Sequence, residues 1–522
     1  MCGIIVSKSR SELIELGLKK ISSRGPDDFR IVDHKGYRFM FNRLSIMGLD
    51  DSGMQPFEYR GNMSVTNGEI YNYLQIKEEL IDSYDFISDS DCEILLPLYE
   101  LLGFDMFTYL DAEFVCVIYD KVLDTLVAAR DPLGIRPLFY GYDKDSGEIM
   151  FASEVKAIID VVSKVFPFPP GHYYVSGHFY KYSSVTDVVE YNDETFDIIL
   201  DNIRFKLKQA VKKRLSSDAP MGFLLSGGLD SSLVCSIAQK YLDKPIRTFS
   251  IGMVDDAIDL KYALQVSKYL GTDHTEVIIT KEDVIGCLDE VIYNLETYDI
   301  TTIRASIGMY LISKYISENT DIKVLHTGEI SDELFGYKYT DFAPTPVAFQ
   351  EEAKKRIDEI YMYDVLRADR CLASNSLEAR VPFGDIDFAS YIMRINPYFK
   401  MNKYKMGKFL LRKAFEGDYL PHDILYRDKA AFSDAVGHSL VDYLKEYAED
   451  KYGDDWKVLC EQYTNPIPFT KESLLYREIF EKHYPEHSHL VKDYWMPNKE
   501  WDGCQVDDPS ARVLSNYGDS GK

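Results

Sequence analysis

The sequence predicts two units in series: an α+β unit of antiparallel sheets layered with helices, then an α/β unit with a mainly parallel, doubly wound sheet. Three features predict this. Short alternating or apolar runs ("YRFMF", "MSVT", "FVCVIY", "TLVAA") separated by turn residues fill the first third of the chain, the pattern of antiparallel strands. A proline-rich turn cluster, "FPFPPG" at 166–171, and a polar stretch near 181–195 interrupt that pattern, as a boundary does. From about residue 200 strands and helices alternate, which builds a parallel sheet covered on both faces. The units are therefore drawn as 1–190 and 195–522.

In the second unit "MGFLL" (221–225) reads as a strand entering a glycine-containing loop. Leu233, Val234, Ile237, Ala238, Tyr241 and Leu242 then recur at helical spacing. "RTFSIGM", "TEVIIT" and "IKVLHT" read as further strands, with a helix in "DLKYALQVSKYL". The basic run "KLKQAVKKRL" (206–215) reads as the solvated face of a helix.

Composition narrows the class. With 522 residues, 46% hydrophobic and 28% charged, the chain can build more than one large core. A formal charge of −26 argues against broad nucleic-acid binding, which relies on clustered Lys and Arg. No apolar run reaches the length of a membrane span and no basic-then-apolar leader opens the chain, so a cytoplasmic protein without membrane association is expected. The eight cysteines form no C-x-x-C pair; most are expected to be buried free thiols.

Two loops follow predicted parallel strands, where ligands of open α/β sheets bind. In "LLSGGLDSS" (224–232), Gly227 and Gly228 permit close approach to an anion. Ser226, Ser231 and Ser232 add hydroxyls, and the helix start adds free N–H groups. This composition suits phosphate and resembles the pyrophosphate loop of ATP-pyrophosphatases; it lacks the P-loop lysine. Asp230 beside phosphate calls for a bridging cation, for which Mg²⁺ is suited. "HTGEISDELFGY" (326–337) adds Glu329, Asp332 and Glu333, read either as acids at a helix start or as the other half of a metal–nucleotide site.

The chain begins "MCGIIV". If Met1 is removed, Cys2 carries both a thiol and a free α-amine of ordinary pKa about 7.7–8.0, a nucleophile with its own base. "NGE" (67–69), directly after the strand "MSVT", supplies an Asn67 amide and a Gly68 N–H for an oxyanion. Arg43 in "NRLSIMG" suits a carboxylate, and Asp91 in "DSDCE" suits an ammonium. Together they describe glutamine.

With these residues in view, the chain resembles the glutamine-hydrolysing asparagine synthetase family nearly end to end. "MCGI", "SRGPD", "NRLSIMG", "NGEIYNY", "SDCE", "RDPLGIRPLFYG", "FASEVKAI" and "PPGHYY" resemble its class II amidotransferase domain. "LLSGGLDSS", "ETYDITTIRAS", "GEISDELFGY", "LRADRCLASNSLEARVPF", "KAAFSDAVG" and "WMPNKEW" with "DDPSARVLSNY" resemble its synthetase domain. The resemblance implies an N-terminal nucleophile hydrolase fold for the first unit, ATP as substrate, Mg²⁺, a homodimer, and aspartate and glutamine as the other substrates. It implies a glutamine pocket of Arg43, Leu44, Ile46, Asn67, Gly68, Glu69 and Asp91. It assigns Leu225, Ile251, Thr327 and Gly328 to the nucleotide, Asp230 and Asp332 to Mg²⁺, Glu329 to ammonia attack and Lys429 to the phosphate. The "TTIRAS" segment (301–306) and Arg380 are further candidates near aspartate, a buried ion pair being the other reading of Arg380. A dry passage for ammonia between the two sites is also implied.

Some positions depart from the family pattern. Ile330 stands where S-G-E-G-S-D-E has its second glycine, and would be strained at positive φ. Thr327 keeps the loop's first hydroxyl. "AEF" (112–114) replaces Gly-Met-Phe, and Gly384 replaces an apolar residue in "VPFGD". Two alternatives stay open: an amide- or β-lactam-forming synthetase acting on another acid, which intact Cys2, Asn67 and Asp91 disfavour, and a non-catalytic descendant, supported by Ile330 alone.

Overall fold

A computed structural model describes residues 1–254, 257–402, 404–428 and 436–518. The N-terminal part holds two six-stranded antiparallel sheets. Its strands are β1 (Gly3–Ser7), β2 (Asp28–His34), β3 (Tyr37–Arg43), β4 (Phe57–Tyr59), β5 (Asn62–Ile70) and β6 (Ala112–Asp120). They continue as β7 (Thr125–Arg130), β8 (Phe139–Asp143), β9 (Ile149–Ala152), β10 (Val162–Pro167), β11 (His172–Val175) and β12 (His178–Lys181). The sheet orders are β10-β8-β9-β1-β3-β2 and β12-β11-β7-β6-β5-β4.

Strand alternation explains the layering. Ile4, Val6, Phe39 and Phe41 of the first sheet meet Val65, Val115, Val117 and Ala128 of the second in one core. Ile5 and Met40 point the other way, onto Ile14 and Leu18 of the helix Glu12–Lys20. Ile70, Cys116 and Ile118 do the same for Ile76 and Leu80 of the helix Tyr73–Leu80. Two sheets are thus enclosed between helices.

The C-terminal part is built on five parallel strands, β13 (Met221–Leu224), β14 (Arg247–Met253), β15 (Asp273–Ile279), β16 (Val324–His326) and β17 (Glu378–Arg380), in the order β15-β14-β13-β16-β17. Leu233, Ile237, Ala263 and Val266 of the helices Leu229–Tyr241 and Ile258–Leu270 cover one face with Phe223. Ile303, Ile307 and Ile312 of the helix Ile300–Asn319 cover the other with Phe249 and Leu325. The doubly wound sheet is as expected.

Two readings need correction, and one strand went unread. β5 does not stop at "MSVT" but runs on through Asn67, Gly68 and Glu69 to Ile70, because its pairing with β6 continues to Ala112. The run at 206–215 is only partly solvated: Arg214 is 1% exposed and pairs with Glu113 (2.8 Å) and Asp385 (2.9 Å). β17 carries buried charged residues at both ends, so no apolar pattern announced it.

Glu113, the departure within "AEF", also pairs with Arg136 at 3.1 Å. Buried ion pairs of this kind join the two parts. Arg24 meets Glu154 (2.7 Å) and Asp369 (2.8 Å), and Arg370 meets Glu154 (3.0 Å) and Glu296 (2.9 Å). Charges removed from water need such partners, and these partners fix how the parts meet. Among the described residues every cysteine is free, and all but the half-buried Cys2 are buried. Among the same residues, no helix is long and apolar enough to cross a membrane.

Candidate active sites

The first site lies where β1 and β3 of the first sheet face β5 of the second. The Cys2 nitrogen donates to Asn67 Oδ1 at 2.9 Å. The Leu44 N–H approaches Cys2 Sγ at 3.5 Å, and the thiol faces Leu44 O at 3.7 Å. Asn67 Nδ2 is buried with no partner, an unspent donor beside the sulfur. Burial pushes the Cys2 thiol up and brings the Met1 amine down to about 6, since a charged form is disfavoured away from water. The Met1 side chain is 1% exposed, its sulfur against the guanidinium groups of Arg24 and Arg136.

The predicted glutamine-pocket residues gather around this point. Arg43 is held by the carbonyls of Asp50 (2.7 Å) and Gly48, and no carboxylate pairs with it among the described residues. Asp91 accepts from the Ile70 N–H at 2.8 Å, and burial raises its carboxyl to about 6. Leu44 and Ile46 pack with Ala219 and Val324, and Ile46 O accepts from the Asp218 and Ala219 N–H groups. The pocket wall therefore rests on the C-terminal part. Glu69 pairs with Arg380 at 3.0 Å, which assigns Arg380 to the buried ion-pair reading; its carbonyl also takes the Thr327 N–H at 3.0 Å.

The second site is a cavity of about 210 Å³ at the carboxyl ends of β13, β14 and β16. Leu225, Ser226, Gly228, Asp230, Ser231, Ile251, Thr327, Gly328, Glu329 and Asp332 all line it, as do Thr301 and Arg304 of "TTIRAS". Arg304 is committed to Glu472 and Asp508. Gly227 does not line the cavity. At φ +71 it turns toward the helix Ile258–Leu270, where a Cβ would lie 2.5 Å from the Ala263 nitrogen. Gly328 lets the two loops touch: a Cβ there would lie 2.8 Å from the Ser231 nitrogen. Thr327 Oγ1 is buried without a partner.

Within the cavity Lys408 is central. Its Nζ contacts both Asp230 oxygens at 2.8 Å and Asp332 Oδ1 at 2.6 Å. Ser331 Oγ donates to Asp230 at 2.7 Å. The two predicted metal carboxylates thus share one cation, a donor set suited to Mg²⁺ with phosphate oxygens. Glu329 pairs with Arg367, which also meets Asp364 at 2.7 Å. Arg427 donates to the Gly227 carbonyl at 3.2 Å and to Asp259 at 3.0 Å, and lies 3.7 Å over the Tyr262 ring. Lys408, Arg367 and Arg427 escaped the sequence reading, because Asp230, Glu329 and Asp259, which they meet, lie 38 to 178 residues away along the chain. Lys429 lies outside the described residues.

Family models and known proteins match both parts of the chain. The family model described as "Asparagine synthase" matches residues 202–353 and 341–506, and "Glutamine amidotransferase domain" matches 1–169. The chain is 39% identical over 556 residues to a probable asparagine synthetase [glutamine-hydrolyzing] of Acanthamoeba polyphaga mimivirus, covering 98% of this chain and 100% of that one. Asparagine synthetases [glutamine-hydrolyzing] of Mus musculus and Homo sapiens are each 39% identical to it, over 569 and 564 residues. The mouse match covers all of both chains and the human match 99% of each. Carrying both sites on one chain and matching these relatives from end to end, the chain belongs to the glutamine-hydrolysing asparagine synthetase family.

Proposed function

We propose that the chain makes L-asparagine from L-aspartate and ATP with ammonia released from L-glutamine, through a β-aspartyl-AMP intermediate, leaving AMP, pyrophosphate and glutamate. One observation carries this reading: Cys2, next to the terminus and beside an unpaired buried amide, and a carboxylate-lined cavity under a Ser-Gly-Gly loop occur on one chain. Units of 1–190 and 195–522 belong to the proposal; the last strand of the first sheets ends at Lys181 and the next helix begins at Phe196. A cytoplasmic homodimer belongs to it too, on the family resemblance.

At the first site the Cys2 thiol attacks the glutamine side-chain amide. Its proton passes to the freed α-amine and on to the departing ammonia, and water then cleaves the thioester. Asn67 Nδ2 and the Gly68 N–H receive the oxyanion. An α-amine titrates ordinarily at about 7.7–8.0, so near neutrality part of it is free to accept the proton. This mechanism requires Met1 to be removed. The intact mass of purified protein is expected to fall short of the full sequence by one methionine; a retained Met1 in active enzyme sinks the assignment of the base.

Arg43 and Asp91 hold the carboxylate and ammonium of glutamine. With the Asp91 carboxyl raised to about 6 by burial, acid below that value removes its negative charge and its hold on the ammonium. Glutaminase kcat/KM is therefore expected to fall roughly tenfold per pH unit below 6. A profile flat down to pH 5 overturns that role.

At the second site ATP activates the β-carboxylate, because AMP leaves a carboxyl carbon where oxide does not. Leu225 and Ile251 flank the base and ribose, while Ser226, Gly228 and Ser231 receive phosphate. Asp230 and Asp332 would hold Mg²⁺, which when bound neutralises pyrophosphate charge. Glu329 assists ammonia at the acyl-adenylate, with Lys429 steadying its phosphate. Ammonia crosses between the sites through a dry passage. Incubation with amide-¹⁵N glutamine, aspartate and Mg·ATP tests the whole: labelled asparagine and stoichiometric AMP are expected. AMP without labelled asparagine, or no AMP at all, overturns it.

A further inference from the structure

The acidic loop carries a side chain in an unfavourable place. Ile330 sits at φ +79 and ψ −21, a left-handed conformation that a β-branched residue rarely adopts. Surrounding structure must over-determine such a residue. Its side chain is 1% exposed and packs in the core that includes Ile135, Val381 and Phe383. Opposite stands Gly384. A Cβ built there would lie 2.6 Å from Ile330 Cδ1, 3.0 Å from Ile135 Cδ1 and 3.2 Å from Val381 Cγ2. Gly384 does not have positive φ, so its backbone does not demand glycine. The space does, because Ile330 fills it.

The neighbours of Ile330 are the groups that line the cavity. Glu329 precedes it and pairs with Arg367. Ser331 and Asp332 follow, bound to Asp230 and Lys408, and the Ile330 carbonyl accepts the Leu334 N–H at 3.3 Å. Ile135 comes from the N-terminal part, in a turn whose Ile135 N–H is held by Asp131 at 2.9 Å. One apolar side chain therefore pins the acidic loop against both parts of the molecule.

We propose that Ile330 is a positioning residue for the synthetase reaction and that Ile330 and Gly384 form one interlocked pair, the isoleucine taking the volume that a side chain at 384 would occupy. This rests on the reading that Glu329 and Asp332 serve adenylation and amide formation.

A mutant cycle on the full-length enzyme tests it, with ammonia-dependent synthesis as readout and glutaminase activity as control for folding. Ile330→Gly relieves the φ strain but empties the space over Gly384. Its kcat is expected to fall about tenfold, as small misplacements of catalytic groups do, with a smaller effect on KM for ATP because the substitution leaves Leu225 and Ile251 unchanged. Gly384→Leu is expected to lose at least as much. Ile330→Val, which removes only the Cδ1 over Gly384, should lose less than Ile330→Gly, and the double variant Ile330→Gly/Gly384→Leu should stay within about threefold of the unchanged enzyme. Losses that simply multiply in the double variant overturn the pairing, and so does glutaminase falling in step with synthesis in Ile330→Gly. Failure of the underlying reading is seen separately, as synthesis that survives Glu329→Gln.

Discussion

Replacing Cys2 by alanine abolishes glutamine-dependent asparagine formation and leaves synthesis from ammonium salts within about threefold of the unchanged enzyme, on the proposed mechanism. Loss of a covalent nucleophile that acts in concert with its base costs roughly 10⁴-fold or more, so residual glutamine use should be undetectable. Synthesis from ammonium is spared because the substitution removes only the sulfur. The Cys2 nitrogen still has Asn67 Oδ1 at 2.9 Å, and β1 keeps its register with β3. The control matters because the glutamine-pocket wall rests on the C-terminal part through Ile46 and Ala219. A disturbance larger than one sulfur would reach the second site. If both nitrogen sources fail together while the protein remains folded, the division into two chemistries is wrong. If glutamine still serves, the nucleophile lies elsewhere.

What the sequence made legible follows physical rules. Strands that alternate apolar and polar residues, or that are wholly apolar, were readable, and so were loops whose glycines and serines have no other use. The end of β5 was misread because Asn67, Gly68 and Glu69 are polar yet sit in a paired, buried strand. Their partners, Cys2 and Arg380, lie 65 and more than 300 residues away along the chain. Periodicity reports only on neighbours in sequence, so such pairings leave no trace in it. Arg214 shows the same limit. In "KKRL" it reads as one more solvated cation, whereas Glu113 and Asp385 make its burial possible. Lys408 was hidden for a similar reason, as one of three lysines in "KYKMGK" (403–408) with nothing to set it apart from its neighbours.

The second large effect is expected at the carboxylates. Asp230→Asn should stop synthesis from glutamine and from ammonium alike, by roughly 10³-fold or more, while glutaminase activity survives. Asparagine keeps the shape and can still accept from Ser331, but the negative charge facing Lys408 is lost. Breaking a buried charge pair can cost about 3–5 kcal/mol; here Asp332 remains at 2.6 Å from the same ammonium, so the fold should hold, and thermal unfolding checks that it does. Glu329→Gln should stop net synthesis too, but at a different step. Aspartate-dependent exchange of pyrophosphate into ATP reports adenylation alone: it should vanish in Asp230→Asn and persist in Glu329→Gln, whose lost carboxylate is needed only when ammonia arrives. Exchange that survives in Asp230→Asn removes that residue from the nucleotide chemistry. Exchange lost equally in both variants makes Glu329, with its Arg367 partner, part of the adenylation site and not a separate aid to ammonia.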